Sequence, residues 1–209
     1  MLIAGAGGFA LQLFDDLITS KNNDVVFWSD VKVEFDCIKE HFKILQTDEE
    51  VKDYFANTSK LFVVGIWDIE HRKRLTKKFI DLGGELSTFK SPYTDISTYT
   101  SVGSGTIILN DTVSEPYVQI GENCIINKKG SFGHGAKVAS FCSIGPHTLV
   151  ASNSEIGENT YIGMRAVVQQ KIKIGKNVTI ASGAVVTKNI PDNAVVQGNP
   201  AEIRFFKKI

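Results

Sequence analysis

A glycine-rich turn near the start of the chain lies between an apolar run and a helical pattern. Its residues, Gly5-Ala6-Gly7-Gly8-Phe9-Ala10, fit the motif G-x-G-x-x-A. Free backbone N–H groups at the first turn of a helix bind phosphate groups, so this segment suits a diphosphate. Asp30 follows about 20 residues later, at the end of a second strand pattern, where a dinucleotide enzyme uses a carboxylate to bind a ribose hydroxyl. These residues predict a nucleotide site.

Strand and helix patterns alternate through residues 1–90. Strand patterns lie in MLIAGAG, DVVFWSD, ILQ, LFVVGI and from Leu86 to Phe89; helix patterns lie in GFALQLFDDLITSK, from Thr47 to Phe55 and from Asp68 to Leu82. Thr47 and Glu50 have the spacing of a capping box. The alternation predicts an α/β, Rossmann-like domain with a parallel sheet between helices. This unit is too small for the full six-stranded dinucleotide fold, so a nucleotide ligand is favoured over NAD.

A second pattern begins after the Ser91-Pro92 step. Every sixth residue from Ile96 to Val186 is large and apolar, except Ser114. The residue that follows is usually small, and Asn recurs two positions further on. A period of six fits neither a helix at 3.6 nor an isolated strand at 2, and is typical of hexapeptide β-helices. We therefore predict a β-helix over residues 91–209 that ends, after Val186, in turns and a short strand or tail.

Composition limits the classes of function. The 209 residues carry 23 basic and 23 acidic side chains, so no basic field favours nucleic acid. No apolar run reaches the roughly 18 residues of a membrane span, and the start lacks a signal-peptide pattern. The three cysteines form no disulfide framework, and the four histidines have no metal-site spacing. The expectation is a cytoplasmic protein without a metal.

The two patterns together, followed by Gly198-Asn199-Pro200-Ala201, resemble the bacterial nucleotide-sugar acetyltransferases. This group contains sialic-acid O-acetyltransferases and the N-acetyltransferases of bacillosamine and perosamine synthesis. The resemblance covers essentially the whole chain. It implies a left-handed β-helix, a homotrimer, acetyl-CoA bound as co-substrate between adjacent β-helices, and a nucleotide-linked sugar held partly by the N-terminal domain. The implied process is surface-glycan precursor synthesis.

The resemblance places the catalytic histidine of the family at His134, in the stretch NKKGSFGHG. An imidazole can take the proton of an attacking amine or hydroxyl at neutral pH. The alternative is an exposed turn histidine. The family usually has an acid next to this histidine, where this chain has Gly135, and many members have a second histidine at the position of Ser143. The ring would then be held by a backbone carbonyl, by a water, or by an acid from another coil or subunit. Asp111 and Glu115, about one coil earlier, are the candidate acids within the chain.

Three further residues are carried over for the cofactor. Since three hexapeptides make one coil of this fold, residues 18 apart stack, and Ser152 lies one coil beyond His134. The resemblance implies that the Ser152 amide donates to the acetyl oxygen. It also places Met164 and Ser182 on the CoA groove, although ordinary solenoid surface is an equal alternative. Cys124 and Cys142 stack in the same way and are interpreted as reduced packing residues.

For the sugar nucleotide the resemblance implies the glycine loop with Asp30 facing the base or ribose. Many members have histidine in place of Phe9. Gly65-Ile66-Trp67-Asp68 with Arg72 resembles the Gly-x-Asn-Asn…Arg segment of the family, and the missing Asn pair affects sugar preference. Asp68 is equally well explained as a helix N-cap. The expected substrate-binding residues are Gly5, Gly7, Gly8, Phe9, Asp30, Gly65 and Asp68.

Three hypotheses follow from these residues. The first is acetyl-CoA-dependent N-acetylation of a nucleotide-linked amino sugar. The second is O-acetylation of a sugar hydroxyl, as in sialic-acid acetylation. The third is a non-catalytic nucleotide-sugar-binding scaffold, suggested by the missing acid after His134.

Overall fold

The N-terminal half of the chain is a three-layer α/β unit, as predicted. The computed structural model describes residues 1–19 and 24–208; Ser20 and Lys21, at the end of the first predicted helix, lie outside these ranges. The strands, all parallel and in the order β3-β2-β1-β4-β5, are β1 Leu2–Ala4, β2 Val26–Trp28, β3 Lys43–Leu45, β4 Leu61–Val64 and β5 Glu85–Leu86. The helices are α1 Gly8–Thr19, α2 Asp36–His41, α3 Asp48–Asn57 and α4 Ile69–Asp81.

The helix boundaries follow the capping residues. The Thr47 hydroxyl accepts from the Glu50 N–H at 3.2 Å, and the Glu50 carboxylate accepts from the Thr47 N–H at 3.0 Å, so the predicted capping box is confirmed. The short helix α2 was not predicted. It spans six residues and has no side-chain cap, so no periodicity or capping signal marks it in the sequence.

The second half is a left-handed parallel β-helix, and this prediction is also confirmed. Through residues 89–186, paired strands lie 18 residues apart, as Val113 and Ser131 do. The next pairing, of Thr179 with Val195, has a spacing of 16. The first face of the prism contains β7 Asp95–Ile96, β10 Val113–Ser114, β13 Ser131–Phe132, β16 Leu149–Val150, β19 Val167–Val168 and β22 Val185–Val186. The second face contains β8 Ser101–Val102, β11 Gln119–Ile120, β14 Lys137–Val138, β17 Glu155–Ile156 and β20 Lys173–Ile174. The third face contains β6 Phe89–Lys90, β9 Ile107–Ile108, β12 Ile125–Ile126, β15 Ser143–Ile144, β18 Tyr161–Ile162, β21 Thr179–Ile180, β23 Ala194–Gln197 and β24 Glu202–Phe206.

The sixfold column fills the interior of the prism. Its apolar members pack as one continuous core, with partial exposure only toward the N-terminal end at Ile96 and Val102. Ser114, the exception, is also buried, and its hydroxyl lies 2.8 Å from that of Thr100 and accepts from the Ser97 N–H. The polar member is thus satisfied by hydrogen bonds, which removes the cost of burying it.

One detail at the start of the solenoid differs from the sequence interpretation, whereas the short strand predicted at its end is confirmed. A single last strand from Leu86 to Phe89 is wrong: Leu86 ends β5 in the α/β sheet, while Phe89 begins β6 and pairs with β9 of the solenoid. The chain changes layer between them, and the domain division 1–90 and 91–209 stays a prediction. Beyond Val186, Ile190 still packs in the core, and the final segment forms β24, which folds back antiparallel on β23.

A buried arginine joins the two units. The Arg72 side chain is fully buried, and its guanidinium donates to the carbonyls of Ile66 and Trp67 in its own unit. It also donates across the junction to the Asn123 carbonyl at 2.9 Å and to the Ser143 hydroxyl at 3.0 Å. The α/β unit therefore lies against the corner between the second and third faces. None of the helices in the described ranges has the length and apolar character that a membrane crossing needs.

Candidate active site

His134 lies in the turn between β13 and β14, on the corner that joins the first and second faces. We call this the His134 corner. Glu115 lies on the same corner one coil earlier, directly after β10. One oxygen of its carboxylate, Oε2, accepts from the His134 backbone N–H at 2.7 Å and lies 2.9 Å from the ring nitrogen Nδ1. Glu115 therefore supplies the carboxylate that the residue after His134, Gly135, cannot supply.

Asp111, the other candidate acid, belongs to a different part of the coil. It occupies a left-handed turn (φ 58°) between β9 and β10, on the corner that joins the third and first faces. Its carboxylate is thus separated from His134 by the width of the first face. The sequence spacing alone could not separate the two acids, because both precede His134 by about one coil.

The electrostatics of the pair favour one tautomer of the imidazole. The pKa of the Glu115 carboxyl is lowered, first by the hydrogen bond from the His134 backbone N–H and then by the ring. The carboxylate is therefore charged at neutral pH and can only accept, so Nδ1 carries the proton in the neutral ring. The Ser152 hydroxyl lies 3.1 Å from the same nitrogen. The second ring nitrogen, Nε2, is then an acceptor with no hydrogen-bond partner among residues 1–19 and 24–208.

Ser152 is placed beside His134 by the stacking of coils. The Asn153 N–H donates to the His134 carbonyl at 2.9 Å, and a Cβ added to Gly133 would lie 2.6 Å from the Ser152 nitrogen. Only glycine leaves room for this approach. Within the described part of the chain the Ser152 N–H has no hydrogen-bond acceptor, so it is free to donate to a ligand.

The other two residues expected on the CoA groove lie elsewhere on the prism. Met164 follows β18 and Ser182 follows β21, so both lie where the third face turns into the first. We call this the Met164 corner. Met164 is 54% exposed. Within one chain the first face separates Met164 and Ser182 from His134 and Ser152, so the structure does not bring the four residues together.

The residues expected to bind the nucleotide gather at one edge of the α/β sheet. Gly5, Asp30 and Gly65 follow β1, β2 and β4 at their carboxyl ends, near the point where the strand order reverses, which is the usual ligand site in such sheets. Gly5 has φ 111°, and a Cβ there would lie 2.6 Å from the Ile66 side chain, so the turn requires glycine. Gly7 and Gly8 lie beside open space, and Asp30 is exposed.

A cavity of about 320 Å³ separates this edge from the third face of the solenoid. Phe9 and Trp67 lie on one side with ring centroids 6.3 Å apart, and Trp67 meets Tyr161 of the solenoid edge-on at 6.0 Å. The described residues that line it are Phe9, Gln12, Trp67, Asn127, Gly145, Pro146, Tyr161 and Met164. Phe9 and Met164, which the sequence assigned to two different ligands, thus line one cavity.

Sequence reasoning assigned no ligand to five members of this lining, which are Gln12, Asn127, Gly145, Pro146 and Tyr161. Gln12 follows Phe9 by three positions in α1, so it shares a helix face with Phe9, and this signal was present in the sequence. Tyr161 could not be found, because the outward position before each core residue of the solenoid varies freely. Asp68, expected to bind substrate or cap a helix, accepts from the His71 N–H at 2.7 Å and caps α4.

Two other kinds of site receive no support from the side chains described. Cys124 and Cys142 are free and buried in the solenoid core, as expected of packing residues. In the described ranges no group of three or more His, Cys, Asp or Glu side chains could hold a metal ion. The remaining histidine of the solenoid, His147, occupies a left-handed turn with φ 57°.

Comparisons with known proteins agree with this architecture. Residues 153–188 match the family of bacterial transferase hexapeptide (six repeats). The structure is similar to PerB from Caulobacter crescentus in complex with CoA and GDP-perosamine, with TM-score 0.86 and 23% identity over 98% of this chain and 96% of that chain. The acetyltransferase domain of PglB from Neisseria gonorrhoeae, in complex with acetyl coenzyme A, gives TM-score 0.84 and 24% identity over 97% of each chain.

A third similar structure is WeeI from Acinetobacter baumannii, with TM-score 0.84 and 21% identity over 97% of this chain and 98% of that chain. No curated protein sequence matches the chain significantly. At these identities the likeness establishes a shared fold over nearly the whole length.

Proposed function

We propose that this protein is an acetyl-CoA-dependent N-acetyltransferase that acts on a nucleotide-linked amino sugar, with His134 as the general base. The observation that carries the proposal is the contact of Glu115 with Nδ1 of His134. An ionised carboxylate on Nδ1 fixes the tautomer in which Nε2 is unprotonated, and this is the state that a base needs. The ring is 59% exposed in the single chain, so a substrate can reach it.

In the proposed reaction His134 accepts a proton from the sugar amine while the amine nitrogen bonds to the thioester carbonyl carbon. The Ser152 N–H donates to the carbonyl oxygen as negative charge develops there. The carbon–sulfur bond then breaks, and the protonated His134 returns the proton to the sulfur. The products are an amide and the free thiol of CoA. A base of this kind contributes on the order of 10² to 10⁴ in rate.

The proposal includes a homotrimer, because one chain alone holds an incomplete site. His134 and Ser152 occupy one corner of the prism, while Met164 and Ser182 occupy another. A ring of three chains would set the His134 corner of one against the Met164 corner of the next, with acetyl-CoA in the groove between them. A heterologous contact that closes after three copies is an ordinary symmetry for oligomers.

The nucleotide is assigned to the glycine loop of the α/β unit. The Gly5–Gly8 turn and the N-terminus of α1 would bind the diphosphate, and exposed Asp30 would accept from the ribose or base. GDP-perosamine and CoA in the similar Caulobacter structure support both ligand classes for this fold. Two further similar structures, of a perosamine N-acetyltransferase from Caulobacter crescentus, are variants in which a histidine is replaced by asparagine or alanine. The proposal places the reaction in the cytoplasm, in the synthesis of surface-glycan precursors.

A scaffold without catalytic activity was suggested by the missing acid after His134. Because the Glu115 carboxylate contacts His134 in place of the missing acid, the observation that suggested a scaffold no longer holds. O-acetylation would use the same base, so only the acceptor distinguishes it from N-acetylation. A panel of nucleotide-linked amino and hydroxy sugars, assayed with acetyl-CoA by release of free thiol, separates the two.

The decisive variant is His134→Ala, measured with the best acceptor of the panel. We expect thiol release to fall by about 10² to 10⁴ with unchanged sedimentation and thermal unfolding. His147→Ala is the matched control, since His147 is also a turn histidine of the solenoid. Full turnover by folded His134→Ala protein would remove the assignment of the base. Absence of thiol release with every sugar would remove the proposed activity.

A further inference from the structure

The cavity between the two units contains one buried hydrogen-bond acceptor that none of the described residues satisfies. The amide oxygen Oε1 of Gln12 is buried, and no group in the described ranges donates a hydrogen bond to it. Buried polar atoms are normally paired, and an unpaired one is a site where a ligand can supply the missing partner. Gln12 lies on α1, one turn beyond the glycine loop, and lines the cavity of about 320 Å³ described above.

The lining of this cavity determines which part of a ligand it can hold. Among the described residues that line the cavity, the polar side-chain groups are the Tyr161 hydroxyl, the Trp67 ring nitrogen and the amides of Gln12 and Asn127, and none is a Lys or Arg. A phosphate group needs cations or a helix N-terminus, so neither the diphosphate nor the phosphates of CoA belong here. The Asn127 oxygen already accepts from the Lys128 N–H at 2.7 Å, which leaves its NH₂ group for a ligand.

The position of the cavity relative to the glycine loop indicates that it would hold the sugar ring of a nucleotide sugar. Gln12 lies four residues after Gly8, where α1 begins, and therefore about 6 Å further along the helix axis. A sugar is attached directly to the second phosphate, so its ring lies within one helical turn of a diphosphate bound at the loop. The volume is near the lower end of the range for ligand pockets, which suits one ring better than a whole nucleotide.

We infer that this cavity is the acceptor-sugar subsite, and that Gln12 Oε1 accepts a hydrogen bond from an amino or hydroxyl group of the sugar ring. Trp67 and Tyr161 pack against the apolar surface of the ring, and Asn127 donates to one of its oxygens. Gln12 is thus a specificity-determining residue. The inference rests on the proposed function for the identity of the ligand, while the geometry of the cavity is independent of it.

The test compares Gln12→Met, which keeps the size of the side chain but removes the acceptor, with Gln12→Glu, which keeps an acceptor oxygen. We expect Gln12→Met to raise the KM for the best nucleotide sugar by about 10- to 100-fold, with the KM for acetyl-CoA unchanged. Gln12→Glu should retain most of the sugar binding. Gln119→Met, at an exposed position of the second face and outside the lining of the cavity, is the control, and thermal unfolding of each variant checks folding.

A calorimetric titration separates the sugar from the nucleotide. GDP-perosamine and GDP are the first pair of probes, and the best acceptor of the panel with its nucleoside diphosphate is the second. Gln12→Met should weaken binding of the nucleotide sugar and leave that of the nucleoside diphosphate unchanged. Equal weakening of both, a raised KM for acetyl-CoA alone, or no change at all would overturn the inference. Wild-type protein that binds the sugar in this manner but releases no CoA would refute only the acetyltransferase.

Discussion

The carboxylate of Glu115 holds His134 at two points, although 19 residues separate them in the chain. Its Oε2 accepts from the backbone N–H at 2.7 Å and contacts ring Nδ1 at 2.9 Å. The contact spans two adjacent coils, so it exists only because the solenoid repeats every 18 residues and stacks one turn on the next. An acid from the previous coil thus takes the place of an acid beside the histidine in sequence.

Glu115→Gln should slow the reaction without removing it. The neutral amide no longer stabilises the charged imidazole, and its NH₂ group can face Nδ1 and favour the wrong tautomer. We expect kcat for thiol release to fall by about 10- to 100-fold, which is less than the loss for the base itself. Asp111→Asn is the matched control, because Asp111 lies on another corner and its left-handed turn suits asparagine. An equal loss in both variants would show that Glu115 has no special role.

The sequence predicted the part of the site that depends on the repeat. The sixfold column fixes the register of the coils, so the stacking of His134 with Ser152 followed from counting. Glu115 remained one of several possible partners of His134. The repeat length shows which residues lie in the neighbouring coil, but it does not show which of their side chains reaches the imidazole ring. Gln12 and Tyr161 meet only when the α/β unit docks on the third face, and no local pattern encodes docking. Arg72 was noted as a family motif, but its burial could not be foreseen.

The pH dependence of folding should reflect the Glu115 carboxyl. Its pKa lies below the ordinary 4.5, chiefly because the His134 backbone N–H donates to it, with the ring as the second cause. A carboxyl with a lowered folded-state pKa stabilises the fold above its ordinary pKa, and this contribution is lost as the pH falls through the folded value. The difference in unfolding temperature between wild type and Glu115→Gln should thus be fully present near about pH 7 and should shrink as the pH falls below 4.5.

A carboxyl ¹³C titration measures the same property directly. His134→Ala removes the ring but keeps the backbone donor, so the pKa of Glu115 should rise only part of the way to its ordinary value. A Glu115 pKa at or above 4.5 in the wild type would contradict the hydrogen bonds seen here.

The last prediction concerns the junction that shapes the sugar cavity. Arg72 is fully buried, and burial lowers the pKa of its guanidinium to about 10, so the side chain stays charged at neutral pH. It donates to Trp67 and Ile66 on one side and to Asn123 and Ser143 on the other. Arg72→Met removes this donor from the Ile66 and Asn123 carbonyls, while the Trp67 carbonyl keeps its hydrogen bond from Ser143. We expect a loss of about 2–4 kcal/mol in the free energy of unfolding.

Two further variants serve as references for the loss of stability in Arg72→Met. Arg74→Met, at an exposed position of the same helix, should change stability by less than about 0.5 kcal/mol. Ser143→Ala removes one acceptor of Arg72 and one donor to the Trp67 carbonyl, so it should cost about 1–2 kcal/mol. Thermal unfolding measures all three. Arg72 and Ser143 both donate to the Trp67 carbonyl, so the KM for the sugar should rise in Arg72→Met and Ser143→Ala but not in Arg74→Met. An unchanged KM in all three variants would mean that the junction stabilises the chain without shaping the cavity.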